Sequence, residues 1–163
     1  MRKIVWVILI TLAAAYTTYA LVTLDRRSDE AQIAALVASG TKAVQQRDLS
    51  TAMSCISKKY KDKSGMNYER LRVVIAQTLQ AETDYTVRTT TQSVKLNGDK
   101  AIVEVHVDVR SNNDGNSMYD RDLTISMHKE SARHALILPV KVWRVTSFTN
   151  LGLSALGEGL LDL

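Results

Sequence analysis

One cysteine, one proline and one phenylalanine are all that the 163 residues contain of those types. The lone thiol, Cys55, cannot close an intrachain disulfide, so in an oxidising compartment the body must be held by its core alone. Cys55 lies in no C-x-x-C or glycine-rich context, and reactive thiols need an accessible, electropositive setting. It reads as a small buried residue. The single proline and seven glycines leave no low-complexity linker, and no repeat is present. An excess of one charge is missing too. Setting aside Arg2 and Lys3, the 21 basic residues drop by two against 17 acidic ones. A nucleic-acid partner wants a clustered basic face. The only basic cluster, "KKYKDK" at 58–63, reads as a solvated turn. No histidine or carboxylate grouping matches a metal-ligand signature, so neither metal nor cofactor is implied.

One long stretch does lack charge. Residues 4–24 would span about 31 Å as a helix at roughly 1.5 Å per residue, close to the ~30 Å hydrocarbon core of a bilayer. Arg2 and Lys3 precede it. The expectation is a transmembrane anchor within 1–25, with the membrane as partner through 4–24 and the body outside the cytoplasm. Arg26 and Arg27 weaken that orientation. The competing expectation is a signal segment cleaved near Ala20, after Thr18-Tyr19, which gives a secreted or periplasmic body.

Beyond it, Ser28 can cap a helix whose first turn holds Asp29 and Glu30, with Ile33, Leu36, Val37, Gly40 and Val44 at helical spacing. Asp48 can cap a shorter helix with Leu49, Ala52, Met53 and Ile56 on one face. Asn67 can cap a third, where Leu71, Val74, Ile75, Thr78 and Leu79 form the cleanest stripe. The period then changes to two. Strands are expected at Tyr85–Leu96, through "DKAIVEVHVDVR" at 99–110, at Tyr119–Lys129 and at Ala135–Phe148. Asn97-Gly98 suits a type I′ hairpin turn, "SNNDGNS" a longer loop and "KESAR" another turn. Pro139 belongs at an edge or bulge. Helices followed by hairpin-linked strands predict an α+β fold: three N-terminal helices packed on a curved four-stranded antiparallel sheet, in addition to the transmembrane helix.

The second strand carries the densest set of reactive side chains. Val103, Val105, Val107 and Val109 alternate with Glu104, His106, Asp108 and Arg110. A loop centred near residue 115 would set Val103 opposite Met127, Val105 opposite Ile125 and Val107 opposite Leu123. It would also set His106 opposite Thr124, Asp108 opposite Asp122 and Arg110 opposite Asp120. The alternation predicts a wet outer face for this row. The sharper alternative is that His106, Asp108 and Asp122 line a cavity as general-base machinery, which requires a pocket and a perturbed pKa.

The stretch "AVQQRDLSTAMSCISKKYKDKSG", the hairpin "VKLNGDKAIVEVHV" and the late "VKVWRV" strand resemble a nuclear transport factor 2-like domain. This is the cystatin-like cone family that includes ketosteroid isomerase and SnoaL-like polyketide cyclases. The resemblance covers residues 28–148, within a domain expected at 26–149 and followed by an apolar, glycine-broken tail at 150–163. It implies a curved sheet wrapping the long helix, with a pocket at the open end. Tyr60, Asp62, Tyr68, Tyr85 and Trp143 are the residues it would place at the mouth or wall, although aromatic side chains more often serve as packing with a polar handle. Trp143 is expected against the Leu71–Leu79 stripe, the alternative being an exposed ring at a ligand or partner surface, since Lys141 shares its parity. No catalytic motif of the family maps onto the chain. Three functions are open. One is a non-catalytic membrane-tethered domain binding a small apolar ligand or a protein partner. Another is an isomerase- or cyclase-type pocket enzyme using His106 or an aspartate as base. The third is a scaffold subunit of an envelope assembly, with homodimer or partner contacts through the sheet face or the tail.

Overall fold

The computed structural model describes residues 2–81, 84–134 and 138–152. Four helices, α1 (Arg2–Val22), α2 (Asp29–Gln45), α3 (Leu49–Ser54) and α4 (Tyr68–Ala81), precede four strands, β1 (Tyr85–Asn97), β2 (Lys100–Ser111), β3 (Ser117–His134) and β4 (Leu138–Thr149). The strands form one antiparallel meander in the order β1-β2-β3-β4.

Short polar side chains start the helices by occupying backbone donors that have no intrahelical partner. Ala31 N donates to Ser28 Oγ at 3.3 Å, Thr51 N to Asp48 Oδ1 at 3.0 Å, and Arg70 N to Asn67 Oδ1 at 3.0 Å. α3 stops at Ser54, two residues short of Ile56. Residues 55–57 instead run along the free edge of β4, where Val145 N donates to Cys55 O at 3.0 Å and Ser57 N to Val145 O at 2.8 Å. That edge is thereby closed by the chain itself, and unpaired strand edges invite unwanted pairing.

Bulges between Thr91 and Ser93, Val109 and Arg110, and Ser126 and Met127 bend the sheet. Each adds local twist, which curves the sheet around the helices. The enclosed core holds Ile33 of α2, Met53 of α3, Leu71 of α4, Val103 and Val105 of β2, Ile125 of β3 and Val145 of β4, with Tyr60 at 2 % exposure.

Four expectations need correction. The first is the membrane helix, and with it a single-pass location. Among the described residues no helix is long and apolar enough to cross a membrane. α1 is most apolar in its first half. Tyr16, Thr17, Thr18 and Tyr19 follow, and the Thr17 and Thr18 hydroxyls both donate to Ala14 O. The end of α1 meets the body: Ala20 is fully buried and Thr23 Oγ1 lies 2.8 Å from His134 Nε2.

The second is the β2–β3 register, which is two residues from the expected one. Val103 faces Ile125, Val105 faces Leu123 and His106 faces Asp122. A two-residue shift preserves which face each side chain takes, so the apolar face survives while the polar partners change. Arg110 consequently binds Asp108 of its own strand, Nε to Oδ2 at 2.9 Å.

The third is the β1–β2 turn. Asn97 pairs with Lys100, so the two loop residues are Gly98 and Asp99. Only Gly98 has positive φ, +58°. Glycine first in a two-residue loop is the type II′ arrangement rather than type I′.

The fourth is the "KESAR" turn, which is strand. Ser131 pairs with Lys141 and Arg133 with Pro139. Polar residues suit this end of the hairpin, where the sheet is open to water. Pro139 sits on the outermost strand, as its missing N–H requires.

Candidate functional site

The polar row of β2 is held on the outer face. His106 Nδ1 lies 2.9 Å from Asp122 Oδ1, and Nε2 lies 3.4 Å from Asp120 Oδ1. Asp122 Oδ1 also accepts from Gln92 Nε2 at 3.0 Å. The imidazole is 38 % exposed and Asp122 70 %, so water screens both. Asp108 is engaged by Arg110. His106 and Asp122 are thus brought together, but they line neither the concavity between α3–α4 and β3–β4 nor the one between α2 and β1. No group of three ligating side chains suited to a metal occurs among the described residues.

The aromatic candidates separate. Tyr60 is in the core. Its hydroxyl lies 3.4 Å from Asp62 Oδ2 and accepts from Phe148 N at 3.4 Å, and burial pushes its pKa up to about 12. It pins the 57–62 segment to β4. Asp62 organises the following turn, with Oδ1 accepting from Ser64 N and Met66 N, both at 2.9 Å. The Tyr85 hydroxyl donates to Val44 O at 2.9 Å and so fixes β1 against the end of α2.

Trp143 is 3 % exposed and shares the core with Leu71, but its polar edge is held from a helix the sequence did not point to. Its Nε1 donates to Asp29 Oδ1 at 3.3 Å, at the first residue of α2. Lys129, directly across on β3, places its ammonium 2.7 Å from the same carboxylate oxygen and 5.2 Å from the ring centroid. The Lys129 hydrogen bond holds the Asp29 carboxyl below its ordinary pKa. Trp143 therefore locks the sheet to α2, whereas α4 packs chiefly on α3.

Only Tyr68 of the four aromatic candidates lines the larger concavity, an open groove of about 840 Å³ between α3, the start of α4, and β3–β4. One wall is apolar, with Leu49, Met53, Ile56, Ala132 and Val142. The remainder carries Lys58, Arg72 and Arg144 against Glu69 and Glu130. Ser57, almost fully buried, donates from Oγ to Glu130 Oε1 at 2.5 Å, tying the 55–58 segment across to β3. Lys58 Nζ donates to Tyr68 Oη at 2.7 Å.

Sequence reasoning missed Lys58, Arg72, Glu130 and Arg144. Lys58 was visible only as part of a solvated turn, and the other three are single charges on separate elements. Their shared signal is weak: Glu130, Val142 and Arg144 alternate with Lys129 and Trp143, so they lie on the face away from the indole. The centre of the cone is filled by side chains of α2, α4 and β2. Ile33, Leu71, Val103 and Val105 are each at most 1 % exposed within it. The tail proposed as a docking element lies outside the described residues from 153 onward. Its start is anchored, since Tyr119 Oη donates to Leu151 O at 3.0 Å.

This is the cystatin-like, nuclear transport factor 2-like cone fold. A domain of unknown function with a cystatin-like fold from Nostoc punctiforme superposes with a TM-score of 0.60 at 12% identity, covering 85% of this chain and 89% of that one. A second cystatin-like protein of unknown function from the same organism gives 0.59 at 15%, over 74% and 87% of the two chains. A nuclear transport factor 2-like protein of unknown function from Pseudomonas putida gives 0.56 at 13%, over 74% and 85%. No protein-family model and no curated protein matches the sequence. At these identities the likeness is one of fold alone.

Proposed function

We propose that the domain is a non-catalytic binding module that takes a small ligand with an apolar body in the groove between α3–α4 and β3–β4. The observation that carries this reading is the contrast between the two spaces the fold could offer. The cone interior is packed with fully buried side chains, while the groove has the volume of a small-molecule site. Such sites commonly span about 300–1,000 Å³ and combine apolar walls with a few polar groups. His106, Asp108 and Asp122 take no part in it, because none of them lines the groove. The reading is tested by calorimetric titration of the protein with 1-decanol and decanoate below their aggregation limits. Saturable binding of either, abolished by Ser54→Trp at the exposed groove rim, is the expected result. Absence of binding by both, or binding unchanged by Ser54→Trp, would refute the reading.

A further inference from the structure

The charges in the groove are incompletely matched. Arg72 on α4 and Arg144 on β4 both line it, and among the described residues neither guanidinium makes an ion pair or side-chain hydrogen bond. Lys58 spends its ammonium on a neutral acceptor, the Tyr68 phenol. Of the two carboxylates present, Glu130 is already engaged by the Ser57 hydroxyl. Arg144 is half-buried, where a charge without a partner is less well solvated than at the surface. A guanidinium presents five N–H donors in a planar fork that fits a carboxylate with two parallel hydrogen bonds.

Resting on the proposed groove, we infer that its ligand is a small amphiphilic monocarboxylate, with its carboxylate set on Arg144 and Arg72 and its chain along the wall of Met53, Ile56 and Val142. The apolar wall alone would accept any chain of suitable width. The unmatched guanidinium groups add a preference for one that ends in an anion. Lys58 reinforces the positive field from the neighbouring segment, while Glu69 and Glu130 work against ligands of higher negative charge.

The test compares decanoate with 1-decanol, which share the chain and differ in the head. Wild-type protein should bind decanoate at least about tenfold more tightly, which corresponds to about 1.4 kcal/mol. Arg144→Gln and Arg72→Gln should each cut decanoate affinity severalfold and leave decanol within twofold. Arg72 is exposed on α4, so its replacement leaves folding intact even if Arg144→Gln does not. Equal affinity for the two compounds, or selectivity that survives both substitutions, overturns this inference while the groove itself stands. Failure of both compounds to bind overturns the groove and the inference together.

Discussion

Replacing Trp143 with alanine should be among the most damaging single changes in the domain. The indole is 3 % exposed and belongs to the main core, so its removal opens a large cavity. Truncations of buried aromatic side chains cost about 3–5 kcal/mol. A further loss follows from Asp29, whose carboxylate would keep Lys129 but lose the indole donor. For a chain of this size the total corresponds to a fall in Tm of roughly 6–20 °C, taking about 2–4 °C per kcal/mol. Urea unfolding followed by far-ultraviolet circular dichroism measures the change directly. Trp143 fluorescence in a Trp6→Phe background should be blue-shifted and poorly quenched by iodide. A stability loss under about 1.5 kcal/mol, or freely quenched emission, would refute the lock between β4 and α2.

Three further outcomes follow. Asp29 has its folded pKa depressed by Lys129, and Asp99 by the Lys141 hydrogen bond, so both contribute stability above their ordinary value of 3.8 that is lost as pH falls through the depressed folded values. Acid unfolding should therefore steepen below about pH 4, and Asp29→Asn should flatten it; an unchanged acid limb would count against the pairing. His106→Ala should shift stability by less than about 1 kcal/mol in urea titrations, as a screened surface group does; a loss above about 3 kcal/mol would reveal a buried network. Gly98→Ala should cost roughly 1 kcal/mol, because an L side chain at φ +58° is strained although nothing lies within 4 Å of the added Cβ; a neutral result would contradict the type II′ turn.

The faces of the sheet were legible in the sequence because alternation has a fixed period of two, whatever the register. Val103, Val105 and Ile125 could be placed inside, but their cross-strand partners could not. The residue at which "SNNDGNS" folds back is set by loop geometry around Gly115, at φ +70°, which the flanking pattern does not encode. The caps at Ser28, Asp48 and Asn67 were legible because each is a local contact within three residues. Trp143 could be placed in the core from the resemblance to the cone fold, although Lys141 shares its strand parity, yet its partner Asp29 lies 114 residues away and left no local trace. The uncharged run near the N-terminus was legible as a helix, but its lack of charge overstated its apolarity, since its second half carries Tyr16, Thr17, Thr18 and Tyr19. The groove was illegible for a related reason. It is assembled from single side chains on α3, α4, β3 and β4, and none of those segments carries a motif.

Where a small molecule settles is the central claim, and methyl chemical-shift mapping reads it most directly. With Ile, Leu, Val, Met and Ala methyls labelled and assigned, decanoate is added below its aggregation limit. The account predicts saturable shifts at Leu49, Met53, Ile56, Ala132 and Val142, with Ile33, Leu71, Val103 and Val105 nearly still. Shifts concentrated on those four interior residues, with the groove methyls unmoved, would contradict it.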